Sequence, residues 1–119
     1  MPPLTDIGKY KRLADLYVLA LKQDQAISAA KNNEALQCLM EYGLTERQAE
    51  SFLNDAFDRV GRGMIRSVEQ AINDVSICFR RREHPLILNQ IQSILEAGPI
   101  SSEVQDFFDL CCKYLYHSD

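Results

Sequence analysis

Five arginines in one short stretch are the residues of this chain whose type and spacing best suit binding chemistry. They lie between residues 61 and 82, where the only carboxylates are Glu69 and Asp74, and they are Arg62, Arg66, Arg80, Arg81 and Arg82. Guanidinium groups bind carboxylates and phosphates through paired hydrogen bonds. The stretch therefore predicts a surface that docks an acidic partner protein or nucleic-acid phosphates. Charged helix ends and solvated helix faces are the alternative interpretation.

Groups suited to catalysis are few. The chain has two histidines, His84 beside Pro85 and His117 near the C-terminus, so a Ser–His or Cys–His pair would have to use one of them. We expect His84 to lie in a solvent-exposed turn and His117 in a frayed end. The segment 61–63, Gly-Arg-Gly, lacks the rest of a phosphate-binding glycine motif. The sequence therefore predicts a protein that is not an enzyme.

Four cysteines fall at apolar positions of helical patterns: Cys38, Cys78, Cys111 and Cys112. We expect reduced and mostly buried thiols, because the chain is large enough to fold without disulfide bonds. Zinc sites usually combine two pairs of ligands, each pair closely spaced. The five-residue step from Cys112 to His117 does not match this spacing, so we predict no zinc site there.

Composition and charge narrow the class of protein. The chain has 119 residues, 46% of them hydrophobic and 25% charged, which predicts a single globular domain over residues 1–119. Its net charge of −4 disfavours general coating of nucleic acid or anionic membrane. No apolar run approaches the roughly 20 residues that span a bilayer, and residues 1–6 do not resemble a signal peptide. We expect a cytoplasmic protein that needs no cofactor.

Apolar residues recur at steps of three and four along nearly the whole chain, a spacing that is typical of amphipathic helices. The spacing predicts six helices, at about 6–23, 29–42, 46–60, 64–81, 86–97 and 102–116. The third shows a capping box, in which Thr45 and Gln48 bond to each other's backbone amides. Because no stretch alternates with a period of two, we predict a compact all-α bundle without strands.

The end of the fourth predicted helix bears on the arginines. Arg80, Arg81 and Arg82 would form its last turn, where positive charge complements the helix dipole. Pro85 would then stop the helix and hold His84 in an extended conformation.

Two stretches of the chain look alike. Residues 21–28 and 95–102 each combine the end of an apolar helix, a short turn, an isoleucine and a serine, followed by another helix. We expect Ile27 and Ile100 to pack into the corners between helices, Ser28 to cap the helix that follows the first turn, and Ser101 or Ser102 to cap the helix that follows the second. The alternative is a pattern common to any two helical hairpins.

This repeated turn resembles the TerB-like domains of tellurite-resistance proteins, which carry two copies of the pattern Asp-Gly-x-Ile-Ser-x-Glu between helices. The matching residues are Asp24, Ile27, Ser28, Gly98, Ile100, Ser101 and Glu103. The resemblance implies a helical scaffold, a role in bacterial stress response and paired acidic residues that suit a cation.

The departures from this pattern bear on metal binding. Gln25 and Ala30 replace the Gly and Glu of the first copy, and Ala97 replaces the Asp of the second, so only Asp24 and Glu103 remain. A calcium ion takes 6–8 oxygen ligands. The resemblance therefore implies a scaffold that has lost its metal site, with Asp24 and Glu103 as the ligands if any ion binds.

Three hypotheses about function follow from the sequence. The first is a non-enzymatic helical interaction module that docks a partner protein, in which Arg80, Arg81 and Arg82 contribute more than Arg62 and Arg66. The second is a small regulator or inhibitor associated with nucleic-acid machinery, which uses the same arginines. The third, a small helical enzyme, requires a pocket that holds several buried charged side chains. The identity of the partner and the oligomeric state remain open.

We predict that no divalent cation binds tightly, because the carboxylates of the resembled motif are missing at Ala30 and Ala97. Titration calorimetry with Ca²⁺, Mg²⁺ and Zn²⁺ should detect no site tighter than about millimolar, the weak end of the range for calcium proteins. A micromolar site that is lost in Asp24→Ala or Glu103→Ala would contradict this prediction.

Overall fold

The structure is a computed structural model that describes residues 4–23, 28–65 and 67–117. Six α-helices and one short 3-10 helix form within these residues, and no β-strand does. The α-helices are α1 (Leu4–Leu21), α2 (Ala29–Met40), α3 (Glu46–Gly61), α4 (Val68–Cys78), α5 (His84–Glu96) and α6 (Ser102–Leu115), and the 3-10 helix is Arg81–Glu83. The predicted all-α bundle is confirmed. None of the described helices is long and apolar enough to cross a membrane.

Helix α1 lies at the centre of the bundle and packs against α2, α3, α4 and α5. Every residue from Leu16 to Leu21 is buried. Helix α6 closes the far side of the bundle against α4 and α5. The radius of gyration, 13.2 Å, is that of a compact domain of this size.

Side-chain caps begin the helices as the sequence predicts. Ser28 and Ser101 are extended residues whose hydroxyl oxygens accept hydrogen bonds from the third amide of α2 and α6. The capping box joins Thr45 to Gln48 at 3.1 and 2.9 Å. Between α2 and α3, Gly43 has a φ of +90°, which a side chain would strain. These local signals account for the starts of α2, α3 and α6.

The prediction of one helix over 64–81 is wrong. Helix α4 spans only Val68–Cys78, because Phe79 is extended and turns its ring into the core, 6.0 Å from the ring of Tyr42. His84 is helical and begins α5, and Pro85 lies in the first turn, where it costs no hydrogen bond. The proline therefore marks the start of a helix rather than the end of one.

The two similar turns are only partly alike in structure. Their serines both cap a helix, but Ile100 is 56% exposed and does not fill a corner between helices, so that prediction is wrong. The proline at position 99 and the short turn before α6 leave Ile100 on the surface. Asp24 and Ile27 lie outside the described residues.

A polar cluster crosses the core between α1, α2 and α5. The side-chain oxygen of the buried Gln90 accepts hydrogen bonds from the hydroxyls of Tyr17 and Tyr42. Its amide nitrogen donates to the carbonyl oxygen of Cys38 at 3.2 Å and to the Glu41 carboxylate at 2.6 Å. Burial raises the pKa of Tyr17 well above its usual range, so this phenol stays neutral and donates. Two of these four hydrogen bonds join α5 to α1 and α2, and the other two join it to the turn that follows α2.

Gln90→Leu should destabilise the protein by about 2 kcal/mol, because the hydroxyl of Tyr17 loses its Gln90 acceptor inside the core. Gln92→Leu is the matched control, since Gln92 is exposed on the same helix and bonds only to the exposed Glu96. Urea unfolding of both variants measures the difference. Equal losses of stability would contradict a structural role for the cluster.

Candidate functional site

The arginine run lies in the link between α4 and α5. Arg80 is extended, Arg81 and Arg82 form the 3-10 turn, and all three are exposed. The run was expected to end a helix, but Arg81 and Arg82 directly precede the N-terminus of α5, where positive charge is unfavourable. Complementing the dipole of α5 therefore does not explain these charges.

Hydrogen bonds within the link fix its shape. The Arg80 backbone amide donates to the Glu83 carboxylate at 2.8 Å, and the Glu83 amide donates to the Arg80 carbonyl oxygen at 2.8 Å. The other carboxylate oxygen of Glu83 lies 3.9 Å from the ammonium group of Lys9 on α1. The link is thus a closed turn tied to the central helix.

His84 holds the link between α4 and α5 to the rest of the bundle. Its ring is buried, and Nε2 lies 3.0 and 3.1 Å from the carbonyl oxygens of Ser76 and Phe79. Carbonyl oxygens only accept hydrogen bonds, so Nε2 carries the proton, and in the neutral ring Nδ1 accepts from Nε2 of His117 at 2.7 Å. The predictions of an exposed His84 and a frayed His117 are wrong, because the ring of His84 satisfies carbonyls at the end of α4 and binds the residue after α6.

Exposed apolar side chains flank the arginines. Ile77, in the last turn of α4, is 73% exposed, and Leu86, in the first turn of α5, is 44% exposed. We call Ile77, Arg80, Arg81, Arg82 and Leu86 the arginine end. Protein interfaces combine apolar side chains with arginine, which is enriched there relative to other surfaces.

Tyr114 and Tyr116 were considered as an exposed contact patch, and they differ in the structure. Tyr114 is half-buried, and its hydroxyl donates to the Glu69 carboxylate, which also pairs with Lys113 at 3.4 Å. Tyr116 is 66% exposed and precedes His117, the partner of His84. Only Tyr116 adds apolar surface next to the arginine end.

Arg62, one of the other two candidate arginines, does not lie at this surface. Arg62 is the C-terminal cap of α3 and pairs with Asp58 one turn earlier, at 3.1 Å. It precedes the start of α4, whereas Arg80 follows the end of α4. Arg66 lies outside the described residues.

Of the two residues considered for metal binding, the structure describes only Glu103. Glu103 is exposed in the first turn of α6, where a hydrogen bond from its own backbone amide and the nearby Ser101 and Ser102 hydroxyls lower the pKa of its carboxyl. Asp24 lies outside the described residues. In the part of the chain that the structure describes, no three His, Cys, Asp or Glu side chains are grouped to hold a metal ion.

The four cysteines are free and differ in accessibility. Cys38 and Cys111 are buried as predicted, and Cys112 is half-buried, but Cys78 is exposed because α4 ends at this residue. Burial, with smaller effects from Glu34 and Glu41, raises the pKa of the Cys38 thiol to about 12. Burial also raises the pKa of Cys111. Neither thiol forms the reactive thiolate near neutral pH.

Comparison of the chain with protein families, curated proteins and solved structures found no match. A function for this protein therefore has to be inferred from the chemistry of its own surfaces.

We predict that Cys78 is the first thiol to react with a disulfide reagent in the folded protein. Cys112 should react more slowly, and Cys38 and Cys111 only after unfolding, because burial keeps both thiols protonated and out of contact with the reagent. Absorbance at neutral pH, with and without denaturant, follows the four reactions. A fast phase that persists in Cys78→Ser would contradict the order.

Proposed function

We propose that this protein is a non-enzymatic helical interaction module that docks an acidic partner protein at the arginine end. One observation carries the proposal: three consecutive arginines are exposed on a fixed turn between two exposed aliphatic side chains, Ile77 and Leu86. No ion pair joins Arg80 or Arg82 to a carboxylate among the residues that the structure describes. These guanidinium groups are therefore available to an acidic partner.

Rigidity favours binding at this surface. The turn is closed by Glu83 and held to the bundle by His84, so a partner would order few backbone bonds when it docks. Preorganisation of this kind lowers the entropic cost of association. Charge complementarity would speed the encounter, and burial of Ile77 and Leu86 would stabilise the complex.

Enzymatic activity is not part of the proposal. His84 bonds to His117 and to two backbone carbonyl oxygens, and it bonds to no serine hydroxyl or cysteine thiol among the described residues. Buried Cys38 and Cys111 have raised pKa values, which suits structural thiols rather than nucleophiles.

The second candidate function is regulation or inhibition of nucleic-acid machinery through the same arginines. The arginine end favours it because guanidinium groups bind phosphates as well as carboxylates. The acidic balance of the whole chain, −4, favours an acidic protein segment over a polyanion as long as DNA or RNA. An acidic partner protein that itself belongs to nucleic-acid machinery would fit both candidate functions.

We extend the proposal to a cytoplasmic setting and to bacterial stress response. Free thiols, including the exposed Cys78, are typical of a reducing compartment. The resemblance to TerB-like domains supports the stress-response setting through its two serine-capped turns, at Ser28 and Ser101.

Changing Arg80, Arg81 and Arg82 together to Ala should weaken binding of a peptide rich in Asp, Glu and Leu by at least about tenfold and flatten its salt dependence. The fold should remain stable, because exposed charges usually contribute within about 0.5 kcal/mol each. Fluorescence anisotropy over a range of salt concentrations measures binding, and thermal unfolding measures stability.

The matched control changes Lys22, Arg47 and Arg62 to Ala, which removes the same charge from other exposed positions. It should retain most of the binding. Equal weakening by both variants, or unchanged binding by the first, would contradict docking at the arginine end. Tighter binding of duplex DNA or RNA than of the peptide would favour the second candidate function.

A further inference from the structure

A groove opens at the N-terminal end of α4, whereas the arginine end follows the C-terminal end of this helix. The groove lies where α1 faces the C-terminus of α3. Its volume is about 290 Å³, close to the lower end of small-molecule sites, roughly 300 Å³. Among the described residues, five charged side chains line it: Lys11, Arg12, Asp15, Arg59 and Asp74. Three of these are cations and two are carboxylates, which leaves the groove with one excess positive charge.

Two ion pairs cross the groove and leave donors unused. Arg59 donates from both Nε and Nη2, at 2.9 and 2.6 Å, to a single oxygen of Asp15, Oδ1. Arg12 donates from Nη1 to Asp74 at 3.2 Å. Lys11 is exposed and takes part in no hydrogen bond or ion pair within the described chain.

The unused atoms of the inner pair face the groove. The side chains of Arg59 and Asp15 are only 16% and 14% exposed, yet Nη1 of Arg59 and Oδ2 of Asp15 have no hydrogen-bond partner among the described residues. No fully buried side-chain nitrogen or oxygen in that part of the chain lacks a partner, so both atoms keep some solvent exposure, and both residues line the groove. Arg59 thus presents a largely desolvated guanidinium edge to any molecule that enters.

The remaining walls suit an anion with an apolar portion. Ser67 and Gln70, from the first turn of α4, line the groove, so the positive end of that helix faces the same space. Met64 is 63% exposed and Ile65 is half-buried along the opposite border. Methionine adapts its shape to apolar ligands at little cost.

We propose that this groove binds a small organic oxyanion, with its carboxylate or phosphate head at Lys11, Arg12 and Arg59 and its apolar portion against Met64 and Ile65. The site is separate from the proposed docking surface, because the 11 residues of α4, roughly 16 Å of helix, lie between them. Loss of either activity therefore leaves the other intact.

Titration of ¹⁵N-labelled protein with acetate, hexanoate and inorganic phosphate, at constant ionic strength set by chloride, tests the proposal. All three anions should shift the amide signals of Ser67, Gln70 and Ala71, and hexanoate should saturate at a lower concentration than acetate because of its tail. Comparison of acetate with phosphate identifies the preferred head group. Met64→Ser should weaken binding of hexanoate and leave acetate unchanged.

Lys11→Gln should weaken binding by about fivefold, the upper value for one solvent-exposed ion pair. Lys22→Gln removes the same charge from an exposed position just beyond α1 and should leave binding unchanged. Both residues are exposed, so both variants should fold, and thermal unfolding checks this. Absence of saturation at millimolar anion, equal weakening by both variants, or equal affinity for acetate and hexanoate would overturn the proposal.

Discussion

Burial of most of α1 is the constraint on which the rest of the structure depends. From Tyr10 to Leu21 only Lys11, Arg12 and Asp15 escape burial. A helix that is apolar around most of its circumference cannot rest on one neighbour, so four other helices pack against it. The lengths and directions of α2 to α5 follow from the need to cover this one element.

Polar side chains of α1 form hydrogen bonds and ion pairs in two directions, one toward the core and one toward the surface. Tyr17 points inward and bonds to Gln90, which ties α1 to α2 and α5. Arg12 and Asp15 point outward and pair with Asp74 and Arg59, which ties α1 to α4 and α3. The first set makes the core specific, because each buried group requires its partner. The second set forms the charged wall of the groove.

Local patterns in the sequence predicted the parts of the fold that depend on neighbouring residues. The capping box at Thr45 and the stripe of apolar residues in α3 and α6 involve contacts within one or two turns, so the printed sequence contains all their partners. The boundary between α4 and α5 was missed because it depends on distant residues. Apolar spacing continues through Phe79, and only the contacts of Phe79 with Tyr42 and of His84 with His117 show that the helix ends.

The two candidate sites also differ in how much of them the sequence predicts. Arg80, Arg81 and Arg82 stand out in the sequence because they are consecutive, although their position before α5 required the structure. The groove had no signal in the sequence, since Asp15 and Arg59 are 44 residues apart and each looks like an ordinary charge on a helix face. Pairing across that distance is a property of the fold.

The central position of α1 also determines how the chain must be made. Its packing partners follow it in the sequence, and the last of them, α5, ends at Glu96. A ribosome that adds about 5–20 residues per second needs roughly 4–15 s to synthesise the residues between Leu21 and the end of α5. During those seconds the central helix of the protein has left the ribosome without the helices that cover it. A nascent chain of this design is a natural client for chaperones that hold exposed apolar segments until synthesis is complete.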